Sequence, residues 1–169
     1  MKYVRPAFVL FVLLVLQTAL FSDLDIFGAK AEVVLLLPIA AGIAGGADRG
    51  AIVGFIAGLC LDLVVHGTPT GFFALGYTLT GYIVGMTQAG VLRAAWWIPV
   101  IIAFGGTVLG IVVLTLIGKF IGLEVEFNSD FATICLVAAT TNAILITPMM
   151  RVVRWALPVT SRSGRVLHV

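Results

Sequence analysis

The sequence predicts an all-α membrane protein with six transmembrane helices in a single domain of residues 1–169. The first observation behind this fold class is composition: 61% of the residues are hydrophobic, 11% are charged, and the mean hydropathy is +1.18. A soluble domain carries about 25% charged residues. The second is a set of six apolar segments, each near the ~20 residues that cross a hydrocarbon core. The third is the asymmetric distribution of Lys and Arg between alternate connections.

The predicted spans cover residues 4–22, 31–47, 50–66, 71–89, 95–119 and 131–155. Their connections are short, so consecutive helices are expected to be antiparallel neighbours. The first segment also resembles a secretory signal, with Lys2 and Arg5 before the apolar run and an Ala-Lys-Ala site at 29–31. That run, however, is long for a signal core, and we expect a retained helix. Pro38 and Pro148 are expected to kink or end the second and sixth helices.

Orientation follows from the basic residues in the short connections. Eight of the ten Lys and Arg residues fall on one side of the predicted membrane, which places both termini in the cytoplasm. These eight are Lys2, Arg5, Arg49, Arg93, Arg151, Arg154, Arg162 and Arg165. Lys30 and Lys119 fall on the other side. Trp97 and Trp155 lie near the cytoplasmic boundary, where aromatic belts are typical.

Asp62 is the residue that the sequence singles out, because it is a carboxylate within an apolar segment. It belongs to a stripe with a four-residue spacing that predicts one helix face: Gly50, Gly54, Gly58, Asp62 and His66. Glycines at this spacing favour close packing between helices. A charge at membrane depth costs roughly 2.5–3.5 kcal/mol, so Asp62 is expected to face protein or water and not lipid.

Three roles are open for Asp62: a structural hydrogen-bonding carboxylate, a partner contact, or a proton or substrate site. His66 either pairs with Asp62 or lies at the membrane interface. A hydrogen-bonding role predicts that Asp62→Asn preserves folding, whereas a proton carrier predicts that it fails. For the glycine stripe, Gly54→Leu is expected to be harmful and Gly122→Leu, in a loop, to be tolerated.

Other polar and small residues indicate a compact bundle. Gly81 and Gly85 repeat the four-residue spacing on the fourth helix, and Gly106 and Gly110 repeat it on the fifth. Asn142, near the middle of the sixth helix, is interpreted as an interhelical hydrogen-bonding residue.

The sequence offers no set of residues for catalysis. It contains no nucleophile with a base, no phosphate-binding loop and no metal-ligand spacing, and its two cysteines lie in apolar segments. We therefore predict a protein without catalytic residues, metal, cofactor or nucleic-acid partner, and not an enzyme.

Residues 54–85 resemble the signature of the bacterial rod shape-determining MreD family. The resemblance covers about a fifth of the chain, and Thr70 stands where the family often has leucine. It is carried by the glycine-spaced helix, Leu61-Asp62-Leu63, a turn with Thr68, Pro69 and Gly71, and then Ala74-Leu75, Gly81-Tyr82 and Gly85.

The resemblance implies a non-enzymatic scaffold of the cell-elongation machinery in the bacterial cytoplasmic membrane. Such a protein binds MreC, a single-span protein with an extracytoplasmic domain. Through MreC it is linked to the wall-building glycosyltransferase and transpeptidase, and indirectly to MreB. The family's fold is similar to the substrate-binding subunits of energy-coupling-factor transporters. Self-association is possible.

Two other classes fit the size and the span count. One is a vitamin-binding subunit of an energy-coupling-factor transporter. The Ala-x3-Ala pattern typical of its first helix is missing here, because the residue four positions after Ala7 is Phe11 and the residue four positions after Ala19 is Asp23. The other is a small channel or proton-coupled transporter, in which more intramembrane charge and an internal repeat are typical.

Overall fold

A computed structural model describes residues 4–19, 33–65, 69–87, 97–123 and 129–156, and these residues form an all-helical bundle. Six α-helices and one 3-10 turn follow in chain order: α1 Val4–Ala19, the turn Val33–Leu35, α2 Leu36–Gly45, α3 Ala47–Val64, α4 Phe72–Met86, α5 Ile98–Ile121 and α6 Ser129–Ala156. The six predicted helices are all present. Their assignment as six membrane spans stays a prediction.

The short helix α2 lies at the centre of the bundle. It contacts α3, α4, α5 and α6, and the 3-10 turn before it contacts α1. The other five helices form a ring around α2. In this ring α3 contacts α4, α4 contacts α5, α5 contacts α6, α6 contacts α1, and α1 contacts α3. Residues 36–44 are all buried. A helix that is apolar on every side is stable only when it is enclosed in this way.

The junction of α2 with α3 and the positions of two prolines differ from the predictions for clear reasons. A single residue, Gly46, with φ 85°, separates α2 from α3, so α3 begins three residues earlier than predicted. Pro38 was expected to kink or end its helix but is the third residue of α2, where a missing N–H costs little. Pro148 lies inside α6, which continues to Ala156. Of the two expectations for Pro148, an end of the helix is wrong, and a kink stays a prediction.

The contacts between α4 and α5 define how these helices align. Gly76 faces Leu114, Gly110 faces Thr80, and Gly106 faces Val84. Each step of four residues back along α5 is matched by a step of four residues forward along α4. The two helices are therefore antiparallel over three turns.

Apolar side chains cover the outer surface of the described bundle. Two helices, Ile98–Ile121 and Phe131–Ala156, are long and apolar enough to cross a membrane. Each of the five outer helices also exposes large apolar side chains, including Phe11, Phe55, Leu75, Ile101 and Ile144. Large apolar side chains are thus exposed on every helix around α2 in the described bundle.

Candidate functional site

The Asp62 carboxylate binds the start of the next helix. Its Oδ2 accepts hydrogen bonds from the backbone N–H groups of Gly71 and Ala74, and its Oδ1 accepts one from the N–H of Phe73, each at 3.0 Å. Only 7% of the residue is exposed. Asp62 lies in the last turn of α3, and the three donors belong to the cap and first turn of α4.

This arrangement is a helix cap supplied by another helix. The first N–H groups of a helix lack intrahelical acceptors, and a negative charge beside them is favourable. The cap residue of α4 is Gly71, which has no side chain to serve as acceptor. Asp62 takes over that function from nine residues upstream. Because both of its oxygens accept from α4, Asp62 fixes the end of α3 against the beginning of α4.

The turn before α4 has a defined backbone geometry. Gly71 has φ 99°, a left-handed conformation that glycine adopts without steric cost, and no atom lies within 4 Å of the position of an added Cβ. Its conformation, and not a lack of space, therefore favours glycine. The carbonyl of Pro69 accepts the N–H of Phe72 at 3.2 Å. The structure thus brings together Asp62, Pro69 and Gly71 of the predicted site. His66 lies outside the described residues.

Below the cap, α3 and α4 approach with their backbones in contact. A Cβ added to Gly54 would lie 2.6 Å from the carbonyl carbon of Tyr77. One added to Gly58 would lie 2.5 Å from the Cα of Ala74. The nearest atoms are the carbonyl oxygens of Tyr77 and Phe73, so the Cα–H groups of the glycines point at carbonyls. Such contacts contribute about 0.5–1 kcal/mol each.

The same approach continues to the far end of the two helices. Gly50 and Gly81 face one another, and a Cβ on either would lie within 2.7 Å of the other's carbonyl carbon. A Cβ on Gly85 would lie 2.5 Å from the Cα of Ala47. Each step of four residues forward along α3 is a step of four back along α4. The glycine stripe and Asp62 therefore lie on one antiparallel interface.

One glycine of this packing was missed by the sequence analysis. Gly42 on α2 lies where a Cβ would be 2.8 Å from the Gly81 carbonyl oxygen and 3.0 Å from the Gly85 nitrogen. Gly42 continues the four-residue spacing back from Gly50 through Gly46. That spacing could have identified Gly42 from the sequence. The break at Gly46 conceals the relationship, because Gly42 belongs to a different helix.

Asn142 joins α6 to α5 in the bundle core. Its Nδ2 donates to Oγ1 of Thr107 at 3.1 Å, and both side chains are fully buried. The Thr107 hydroxyl donates in turn to the Ala103 carbonyl at 2.8 Å. The neighbouring Thr140 and Thr141 instead donate to carbonyls of their own helix. The sequence indicated Asn142 but gave no sign of Thr107.

The contacts of Asp62 and of the glycine stripe are contacts between helices. Within the described ranges, no group of three His, Cys, Asp or Glu side chains is placed to hold a metal ion. The Asp62 oxygens accept hydrogen bonds from backbone donors, which holds the end of α3 against the start of α4. The arrangement holds helices together at close range.

Comparison with known proteins finds no match. No family model, no curated protein and no solved structure matches this chain. The similarity to energy-coupling-factor subunits that the family resemblance implies is therefore not confirmed, and the resemblance of residues 54–85 stays a prediction.

Proposed function

We propose that this chain is a non-enzymatic scaffold in the bacterial cytoplasmic membrane, acting in cell elongation. In this proposal all six helices lie in the bilayer, with both termini in the cytoplasm. The observation that carries it is the α3–α4 hairpin: the described residues of the family-like segment, 54–65 and 69–85, form one packed unit, with Asp62 as its cap and Gly54, Gly58, Gly81 and Gly85 at its interface.

The outer surface supports the placement in a membrane. Lipid covers exposed apolar side chains without cost, and such side chains occur on all five outer helices. The central helix α2 is shorter than a full span, but it is enclosed by the others and needs no lipid contact of its own.

The role of Asp62 supports a scaffold over a chemical function. Its two oxygens accept three backbone N–H groups of α4, each at 3.0 Å, so the carboxylate is used to position α3 against α4. The hairpin that it closes has no internal room for a side chain larger than glycine at three successive turns of α3. A rigid pair of helices of this kind can present a fixed outer surface to a partner helix.

The proposed partner is an MreC-like protein with one membrane helix and an extracytoplasmic domain. Helix association in lipid depends on side-chain packing and a few hydrogen bonds, because lipid is as apolar as the helices. The hairpin exposes Phe55, Leu79 and Ile83 to such contacts. Through this partner the scaffold is linked to the wall synthases, and indirectly to an MreB-like filament.

A depletion strain tests the proposal. In a rod-shaped bacterium that encodes this chain, depletion is expected to give rounded or swollen cells with unchanged vitamin uptake. Complementation with Gly105→Leu is expected to restore rods, because Gly105 is exposed and has no atom within 4 Å of an added Cβ. Gly58→Leu is expected to fail. Normal rods together with a specific uptake defect would establish the vitamin-binding subunit instead.

Co-purification from native membranes identifies the partner directly. The wild-type chain is expected to recover an MreC-like protein, and Gly105→Leu to recover the same amount. Recovery of an ATPase module in place of that protein would contradict the scaffold assignment.

A further inference from the structure

The charged residues of α3 lie too close together to sit at opposite faces of a membrane. Asp48 and Arg49 are in its first turn and Asp62 is in its last. Asp62 lies 14 residues after Asp48, a distance of about 21 Å along the helix at about 1.5 Å per residue. This distance is less than the thickness of a hydrocarbon core, about 30 Å. At least one charged end of α3 must therefore lie at hydrocarbon depth.

The helix contacts show which end this is. Gly50 faces Gly81 on α4, and Thr80, the next residue on α4, faces Gly110 on α5. Gly50 is therefore level with Gly110 to within about one turn. Because α4 is antiparallel to both neighbours, α3 and α5 run in the same direction. Twelve residues beyond Gly50, Asp62 is level with the end of α5.

At the other end of α3, Asp48 and Arg49 are level with Thr107, close to the middle of α5. The apolar surface of α5 extends well past that level: Ile101 is 59% exposed, and Trp97 is 50% exposed. At about 1.5 Å per residue, Ile101 lies about 9 Å and Trp97 about 15 Å beyond Asp48 toward the start of α5. Lipid that covers Ile101 therefore extends past the level of the α2–α3 turn, toward the end of the bundle where α5 begins.

On α6, the polar boundary is at the same height as Trp97. Because α6 begins only eight residues after the end of α5 and meets Thr107 at Asn142, it runs back toward the start of α5. Beyond Asn142, α6 reaches the exposed Arg151 and Arg154 after about nine and twelve further residues. These arginines lie about 14–18 Å beyond Asn142, at about 1.5 Å per residue. Both long helices thus place the membrane surface well away from Asp48.

We propose that the α2–α3 turn, residues 45–49, forms the floor of a water-filled recess. The recess opens at the end of the bundle where α5 begins and α6 ends, the cytoplasmic side in the predicted topology. Asp48 is exposed, and a carboxylate at this depth is tolerated in water and not in lipid. The backbone at Gly46, with its positive φ, is consistent with such a recess. Irregular backbone at membrane depth is found only inside protein or beside a water-filled cavity.

Arg49 adds to the polar floor. Its side chain folds back over Gly45, so that a Cβ on Gly45 would lie 3.0 Å from the Arg49 Cβ and 3.1 Å from its Cγ. Among the described residues, the charged side chains of the recess floor are thus Asp48 and Arg49. The inference rests on the membrane placement proposed above but not on a role in cell elongation.

The test combines depth and water access in the full-length protein in lipid vesicles. A nitroxide on Ile52→Cys, with Cys60 and Cys135 replaced by alanine, reports the depth of α3 one turn beyond the floor. Ile52 is exposed and level with the exposed Val112 of α5. We expect this label and a second one on Val112→Cys to lie near the bilayer centre, with high oxygen and low nickel-chelate relaxation.

Water access is measured on the unaltered chain. A water-soluble carbodiimide with a small amine is expected to convert Asp48 to an amide, as detected by mass spectrometry, and to leave Asp62 unmodified because its oxygens accept three N–H groups. An Asp48→Cys variant is expected to react with a charged, impermeant thiol reagent, whereas Ile52→Cys does not.

Two results would overturn the recess. A shallow Ile52 label would show that the turn lies at the membrane surface. A deep Ile52 label with an unmodified Asp48 would show that protein seals the turn. Both readouts are independent of cell shape, so a failed depletion phenotype leaves them unchanged.

Discussion

The α3–α4 and α4–α5 interfaces place glycines at the same four-residue spacing but pack in different ways. Between α3 and α4, each glycine faces backbone atoms of the other helix, such as the Tyr77 carbonyl opposite Gly54. Between α4 and α5, Gly106 and Gly110 face the ends of side chains: Val84 Cγ2 lies 2.9 Å from a Cβ added to Gly106, and Thr80 Cγ2 lies 3.3 Å from one added to Gly110. The nearest atom to Gly110, at 2.8 Å, is also a side-chain end, Cδ2 of Leu35 in the turn before α2. A side chain can move aside, and a helix backbone can do so only if the helices separate.

The comparison teaches that a glycine spacing predicts contact but not its rigidity. Which atom lies opposite each glycine decides how much a substitution costs. The α3–α4 interface also has the Asp62 cap at its end, which the α4–α5 contact lacks among the described residues. We therefore expect α3–α4 to be the most sensitive interface of the bundle.

The largest effect is expected for Gly54→Leu. Four added heavy atoms cannot fit beside the Tyr77 backbone, so the interface must open, at a cost above the ~1–3 kcal/mol of ordinary overpacking. Size-exclusion chromatography of detergent-solubilised protein is expected to show loss of the folded peak. Gly105→Leu is the matched control and is expected to elute as wild type. Equal behaviour of the two variants would show that the interface opens without cost.

Gly122, which the sequence analysis expected to tolerate leucine, is not a neutral control. The space around it is open, but its φ of 83° is left-handed and strained for any other residue. A position in a loop favours tolerance of leucine, but Gly122 is also the cap of α5, and that conformation disfavours any residue other than glycine.

A second large effect is expected at the Asp62 cap. Asp62→Leu leaves three N–H groups without their acceptor, a loss of about 2–4 kcal/mol given the ~1–3 kcal/mol typical of one buried unsatisfied group. The measurement is the thermal midpoint of unfolding in detergent. A midpoint equal to wild type would show that the cap does not stabilise the bundle.

Asp62→Asn is expected to be intermediate, in contrast to the expectation from the sequence. A carboxylate accepts with both oxygens, whereas an amide has one oxygen and one donor group. The amide oxygen can still accept from Gly71 and Ala74, but the NH2 group then faces the N–H of Phe73. A thermal midpoint at the wild-type value would contradict this geometry.

A paired substitution tests the comparison most directly. Gly81→Ala is expected to lose about 1–3 kcal/mol, because the Gly50 backbone lies within 2.6 Å of the new Cβ. Gly106→Ala is expected to lose less than about 1 kcal/mol, since the Val84 methyl can rotate away and alanine favours the helix. Thermal midpoints of the two variants give the ranking. The reverse order would mean that side-chain contacts, and not backbone contacts, limit the packing.

The smallest effect is expected for the hydrogen bond between α5 and α6. Thr107→Val removes the oxygen that accepts from Asn142, and such bonds average about 0.6 kcal/mol in membrane proteins. Thr140→Val is the control, because the exposed Thr140 hydroxyl bonds only its own helix at the Leu136 carbonyl. A loss above about 2 kcal/mol at Thr107 would exceed the range measured for such bonds and indicate a larger buried network.

The sequence by itself determined the helical class, the number of helices and the stripe that holds the α3–α4 interface. These follow from local properties, namely apolar segment length, breaks at glycine, and a four-residue spacing that puts Gly50, Gly54, Gly58 and Asp62 on one face. They depend on neighbours along the chain and need no knowledge of what lies across the interface.

Only the tertiary structure decided what those residues face. It placed the Asp62 carboxylate on the N–H groups of α4, set the Gly54 backbone against Tyr77, put Thr107 beside Asn142 and enclosed α2 within five helices. The physical reason is that such contacts join residues far apart in sequence, so they depend on how whole helices align. In the recess proposed above, the alignment of α3 with α5 places the deep charge at Asp48 in the α2–α3 turn and not at Asp62.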